Sequence, residues 1–319
     1  MNRIALVRKT FGDGCWLLLS CASMLFAFAW IRVIIVASME RYQFQRIARN
    51  MPDMIKRLSP VPIEELVSYP GLVGFTFEEP MVYLIMAVWA ISRGSDSVSG
   101  EIGRGTMEML LAQPISRMRY ILTHLMVTVL GILMLAGSVY AGTRVGVQTT
   151  YLKRTATPTL NLPFLGQLQR PAEPQRVPIS RHVKIDAFNA ATINYACFGF
   201  FLAGVTMALS SVDRFRWRTI GIAVGFYILQ TVIELTGMAV EGMHWLLYLT
   251  FFSAYEPVAF VTKASQDPDS AWCFFAAESH GVIPDLGPLG CDAVLLTLGI
   301  LGFAFAVSVF CRRDLPAPL

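Results

Sequence analysis

Six apolar runs divide this chain of 319 residues, and they decide what it can become. A helix needs about 20 apolar residues to cross ~30 Å of hydrocarbon, and the runs fall at about 15–37, 78–93, 120–142, 187–211, 219–240 and 289–311. Only 15% of the residues are charged and 55% are hydrophobic, whereas ordinary soluble domains are about 25% charged. The charges cluster between the runs. That pattern predicts one all-α membrane domain over 1–319 with six transmembrane helices, and argues against a large soluble core. The loops 40–70, 143–184 and 241–288 are expected outside, and the short polar segment 96–119 inside.

The net charge of +4 comes from basic residues scattered through loops, without the aromatic-interleaved patch of a nucleic-acid binder. No phosphate-binding glycine loop ending in Gly-Lys-Ser/Thr is present, so the chain is not expected to hydrolyse ATP itself. No span carries a Ser/His, His/Glu or paired Asp arrangement at helical spacing, which argues against a membrane-embedded enzyme. Lys and Arg counts on the two sides tie. Their density near the span ends favours both termini inside.

Residues 1–14 place Arg3, Arg8 and Lys9 among Ile4, Val7 and Phe11, a basic lead-in suited to an anionic lipid surface. Leu18-Leu19-Ser20-Cys21 looks like a weak lipoprotein cleavage box. The apolar run continues to Ala37, so the first span is expected to be retained. Arg32 is expected to snorkel to the interface. One helix is expected over Met39–Asn50.

Glu78-Glu79-Pro80 interrupts the second apolar stretch. Carboxylates within a span are functional candidates; the other reading makes Pro80 the first helical residue, with both acids at its dipole-positive end near water. Glu234 could line a transport path with them, or be solvated at the interface. Gly199, Ala203 and Gly204 allow close helix contact, and Asn189 and Asn194 could hydrogen-bond across helices. Trp245, Tyr248, Phe251, Phe252 and Tyr255 suit a membrane–water boundary, where one or two interfacial helices are expected. His124 is read as packing. Cys273 and Cys291 could pair in an oxidising compartment. A metal site of Cys273, His280 and Cys291 lacks a clear fourth ligand, and none is assigned.

The stretch from Asp96 to Tyr120 is polar and broken by Gly103 and Gly105. Inside it a short helix is expected, with Thr106 as its cap and Glu108 at its dipole-positive end. Met107, Leu110 and Leu111 form one apolar stripe at i, i+3, i+4. Pro114 stops it, and Ser116 can cap the next helix. The stripe is too short to span a bilayer. It reads as a helix lying across the membrane surface and pressing on something.

Those same residues carry a resemblance. Glu101, Arg104-Gly105-Thr106, Glu108, Leu110-Leu111, Gln113-Pro114 and Ser116-Arg117 resemble the cytoplasmic segment of type-2 ABC exporter permeases. The tail Arg312-Arg313-Asp314-Leu315 and Phe251-Phe252-x-x-Tyr255-Glu256-Pro257 are similar to that family too. Gly103 departs from it, standing where a charged residue is common. The resemblance implies a coupling helix docking into a separate ATP-binding subunit, with Met107, Leu110 and Leu111 as buried anchors and Glu101, Arg104 and Glu108 as a charged rim. It implies a homodimer or a pairing with a sister permease in the plasma (inner) membrane, with cytoplasmic termini. ATP and Mg would be held by the partner subunit and no cofactor by this chain. The rival from another class is an ion- or proton-coupled secondary carrier using Glu78, Glu79 and Glu234.

Overall fold

A computed structural model describes residues 3–39, 62–154, 159–162, 166–169, 175–275 and 286–313. The helix expected over Met39–Asn50, His280 and the tail residues Asp314 and Leu315 lie wholly or almost wholly outside the described residues.

Among the described residues, six helical segments are long and apolar enough to cross a membrane, as an all-α membrane protein requires, since lipid offers backbone groups no partners outside the helix. The first, α1 (Arg3–Ser38), is continuous. The basic lead-in is therefore its first turns and not a separate surface element. At ~1.5 Å per residue it is roughly 54 Å long, so it projects beyond the hydrocarbon. Arg32 does not snorkel alone: its guanidinium pairs with Glu79 at 3.0 Å.

The second segment starts earlier and ends later than the hydropathy indicates. A short helix α2 (Tyr69–Gly74), capped by the Ser68 hydroxyl accepting from the Gly71 N–H, leads through a 3₁₀ turn (Phe75–Glu78) to α3 (Pro80–Ser95). Pro80 is the first residue of α3. Helical structure then continues through a π turn (Asp96–Gly100) to Gly103. Residues 96–103 are thus the end of the second span, not a free polar loop. A five-residue helix α4 (Met107–Leu111) follows.

The third span is α5 (Arg117–Thr149). It runs on into the segment expected to be loop, since Thr143–Thr149 carries no Pro or Asp to stop it. Ser116 caps it by accepting from the Arg119 N–H. Beyond it, β1 (Tyr151–Arg154) pairs antiparallel with β4 (Gln175–Pro178), and β2 (Thr159–Leu162) with β3 (Gly166–Gln169). The remaining spans are α6 (Phe188–Val212), α7 (Arg216–Ala239) and, after a further helix α8 (Pro257–Gln266), α9 (Pro288–Arg312).

The most enclosed span, α6, sits at the centre. It meets α9 backbone to backbone: a methyl group built on Gly204 would lie 2.5 Å from the Gly299 carbonyl oxygen. Asn194 reaches across helices, donating to the Asp292 carboxylate at 2.8 Å and the Ala254 carbonyl at 3.0 Å. A second close pair joins α1 and α5, where Gly146 lies against Val33.

The connection between α7 and α9 differs from the interfacial helices expected there. It folds as 3₁₀ turns and α8, which packs its Val261 on Gly74. Phe251, Phe252 and Tyr255 are buried against Phe198 and do not float at the boundary; Trp245 and Tyr248 are exposed. Cys273 and Cys291 are both free. Cys291 faces the interior at the start of α9, while the exposed Cys273 thiol donates to the Asp269 carbonyl.

Gly204→Ala is expected to destabilise the protein by about 1–3 kcal/mol through overpacking. Gly221→Ala, with open space around it, is expected to be neutral or slightly stabilising. Unfolding midpoints in detergent check the contrast, and equal midpoints would contradict the α6–α9 contact.

Candidate functional site

The π turn is the local peculiarity from which the site grows. Widening a helix by one residue changes which backbone groups find partners. Here the Ser210 hydroxyl of α6 accepts from the N–H groups of Val98 and Ser99, at 3.3 and 3.0 Å. It also donates to the Ser95 carbonyl at 3.1 Å. The Thr219 hydroxyl of α7 lies 3.1 Å from that of Ser99, and the Tyr120 phenol of α5 donates to the Ser97 carbonyl. Gly100 keeps the turn clear, because a methyl group there would meet Asp96 Oδ1 at 2.6 Å and Arg216 at 3.3 Å.

The turn directs Asp96 into a cluster of guanidinium groups. Its carboxylate lies 2.7 Å from Arg104, 3.3 Å from Arg216 and 3.6 Å from Arg93. Arg93 is only 3% exposed and donates also to the Thr10 carbonyl of α1 at 2.9 Å. Glu101 forms the second centre: Lys9 of α1 at 3.2 Å, Arg104 at 3.0 Å and the Thr106 hydroxyl all meet its carboxylate. Burial alone would depress the Arg104 pKa, but Asp96 and Glu101 outweigh it and raise it, so this group stays charged. Between these side chains lies a polar crevice of about 350 Å³.

Neighbouring contacts gather the other connections at the same end. Arg117 donates to the Arg313 carbonyl at 2.6 Å, and Arg313 to the Ser211 carbonyl at 2.9 Å. In the tight turn before α7, burial works against the Asp213 carboxylate. Arg218 at 2.7 Å and the backbone N–H groups of Phe215 and Arg214 outweigh it and hold its pKa below the usual range. The first turns of α1, the α3–α5 connection, the α6–α7 turn and the end of α9 therefore share one end of the bundle.

Several expected site residues stand differently. Met107 and Leu110 are 3% and 7% exposed and join the protein's own core; they are not a stripe open to a partner. The reason is the left-handed Gly105 (φ 69°), which turns α4 back so that its apolar face covers the bundle. The face left outside carries Glu108 and the 66% exposed Met109. Glu101 is buried in the ion network, not on a rim. Thr106 makes no side-chain cap to α4; its hydroxyl donates to Glu101. Arg104, Gly105, Glu108 and Pro114 are exposed, as is the capping Ser116. Asp96, Arg93 and Arg216 are not among the site residues expected from the sequence, and Lys9, expected at an anionic lipid surface, pairs with Glu101 instead. The one available signal was an acid at the end of an apolar run with Arg three residues before and eight after.

At the far end, Glu78 and Glu234 line one cavity of about 620 Å³ between α3 and α7. Glu78 accepts from the Val258 N–H at 3.2 Å. Glu79, committed to Arg32, does not line it.

Asp96→Asn is expected to cost about 3–5 kcal/mol, as when one partner of a buried ion pair is removed. The exposed Glu108→Gln should change stability by less than about 0.5 kcal/mol. Thermal unfolding of the purified variants reads both, and a wild-type midpoint for Asp96→Asn would show the network to be dispensable.

No curated protein matches the chain. Residues 24–150 match the family described as ABC-2 family transporter protein. That stretch runs from within α1 through the charged turn to the end of α5. Over that part the chain is similar to ABC-2 type permeases of ABC transporters, and the six apolar helices among the described residues fit a multi-pass membrane protein.

Proposed function

We propose that the chain is the membrane subunit of an exporter whose energy comes from a separate ATP-binding subunit docked at the α4 turn. The observation that carries this is the ion network behind that turn. Arg104 and Glu101 tie it to Asp96 of the second span, Lys9 of α1 and Arg216 of α7. A displacement of the turn is thereby passed to three spans as one body, the kind of rigid-body switching that a ligand with unequal affinity for two states can drive.

The docking surface is the outward face of α4, with Met109 as its apolar anchor and Glu108 and Arg104 beside it. The resemblance of Gly105-Thr106, Glu108, Gln113-Pro114 and Ser116-Arg117 to exporter permeases supports outward transport. In this reading the chain contributes no catalytic residue or cofactor, ATP and Mg belong to the partner, and two permease chains, identical or sister, assemble in the plasma membrane with cytoplasmic termini. A proton relay through Glu78, Glu79 and Glu234 has less support, since Glu79 pairs with Arg32 instead of lining the cavity.

Met109→Asp is expected to reduce capture of the ATP-binding subunit at least tenfold in a pull-down while leaving the unfolding midpoint unchanged; undiminished capture would sink the docking surface. In a cysteine-free background, Glu108→Cys and Asp269→Cys are expected to react with a membrane-impermeant maleimide from opposite sides. Labelling of both from one side would overturn the topology.

A further inference from the structure

The cavity at the far end has a chemistry of its own. At about 620 Å³ it falls within the ~300–1,000 Å³ of small-molecule sites. Its aromatic wall is a cluster of three rings: Tyr83, Tyr227 and Phe252 lie with centroids 6.0–6.5 Å apart. Glu78, Glu234 and Glu256 line the same space, and none of the residues lining it is basic. Arg32, stacked over Phe75 at the edge, is already paired with Glu79.

Two features call for an occupant. Carboxylates in a largely apolar, membrane-level cavity are costly without a counter-charge. Tyr227 is 9% exposed, yet its hydroxyl has no hydrogen-bond partner among the described residues, and a buried polar atom in that state needs an explanation. Leu84, Ile228 and Leu235, which also line it, are exposed apolar residues of the membrane-spanning helices α3 and α7.

We propose that this cavity binds a lipophilic organic cation, a quaternary ammonium or phosphonium, which enters from the membrane. The aromatic faces attract the cation, a carboxylate of Glu78 or Glu234 supplies its single counter-charge, and the exposed aliphatic residues take its apolar groups. A bare metal ion fits poorly, since a hard cation asks for six or more oxygen ligands and most of this wall is carbon. Given the permease reading, on which this step rests, the cation is also the class of cargo.

The test is equilibrium binding of radiolabelled tetraphenylphosphonium to the purified full chain in non-ionic detergent. Tetraphenylborate, of the same shape and opposite charge, is measured in a separate sample. Saturable binding of the phosphonium, at least tenfold tighter than that of the borate, is expected. Glu234→Gln is expected to weaken it about tenfold and Tyr227→Phe severalfold, while Asp269→Asn, an exposed acid outside the cavity, leaves it unchanged. Displacement by dodecyltrimethylammonium but not by zwitterionic dodecylphosphocholine marks a free cation as the ligand. Equal displacement by both marks a lipid headgroup and overturns the free-cation assignment. Borate binding as tight as phosphonium binding, or unchanged affinity in both Glu78→Gln and Glu234→Gln, would overturn the site. The assay contains no ATP-binding subunit, so its failure bears on the cavity alone. Failure of ATPase capture by the wild-type chain bears on the permease reading alone.

Discussion

One carboxylate shared among three guanidinium groups holds the termini end of this protein together. Asp96 lies within 3.6 Å of Arg93, Arg104 and Arg216, which belong to the second span, the turn after it and the start of α7. Burying charge costs several kcal/mol per ion unless geometry and further hydrogen bonds repay it. Here the repayment comes from Glu101, Lys9, the Thr10 carbonyl and the serine hydroxyls around the π turn. An arrangement so dependent on completeness has few alternative packings. That makes it suited to moving as a unit and poorly suited to bending.

The rest of the bundle is held by contacts of the opposite kind. Between α6 and α9, and between α1 and α5, glycines bring backbones together, with the Asn194–Asp292 hydrogen bond as a polar tie within the first pair. Such contacts specify how close two helices come but tie down little else, which suits spans that shift against one another. The charged cluster and the far cavity thus sit at opposite ends of the same helices. α7 belongs to both: Arg216 in its first turn meets Asp96, and Glu234 near its end lines the cavity. It is the physical link between the two.

Much of this was legible in the residues. Long apolar runs force helices, because lipid leaves backbone groups no other partner. The helix starts at Pro80 and Ser116 and the break at Gly105 followed from backbone chemistry alone. The facing of α4 did not. Met107 and Leu110 look the same in sequence whether they point outward or inward, and the left-handed Gly105 decides; the Leu111 side chain lies outside the described residues. The aromatic run Phe251–Tyr255 suggested a membrane boundary for the same reason: ring residues serve an interface or a core equally, and the partner Phe198 is remote in sequence.

By itself the sequence determined the number and character of the spans, the ends of several helices and the family resemblance of the α4 turn. These rest on local composition and backbone preference, which a helix in lipid reads residue by residue. Only the tertiary structure decided that Asp96 is a hub, that Glu78 and Glu234 share a cavity while Glu79 pairs with Arg32, and which face of α4 stays outside. Each of those depends on side chains from separate helices meeting, and the relative rotation of helices is set by packing that no single segment encodes.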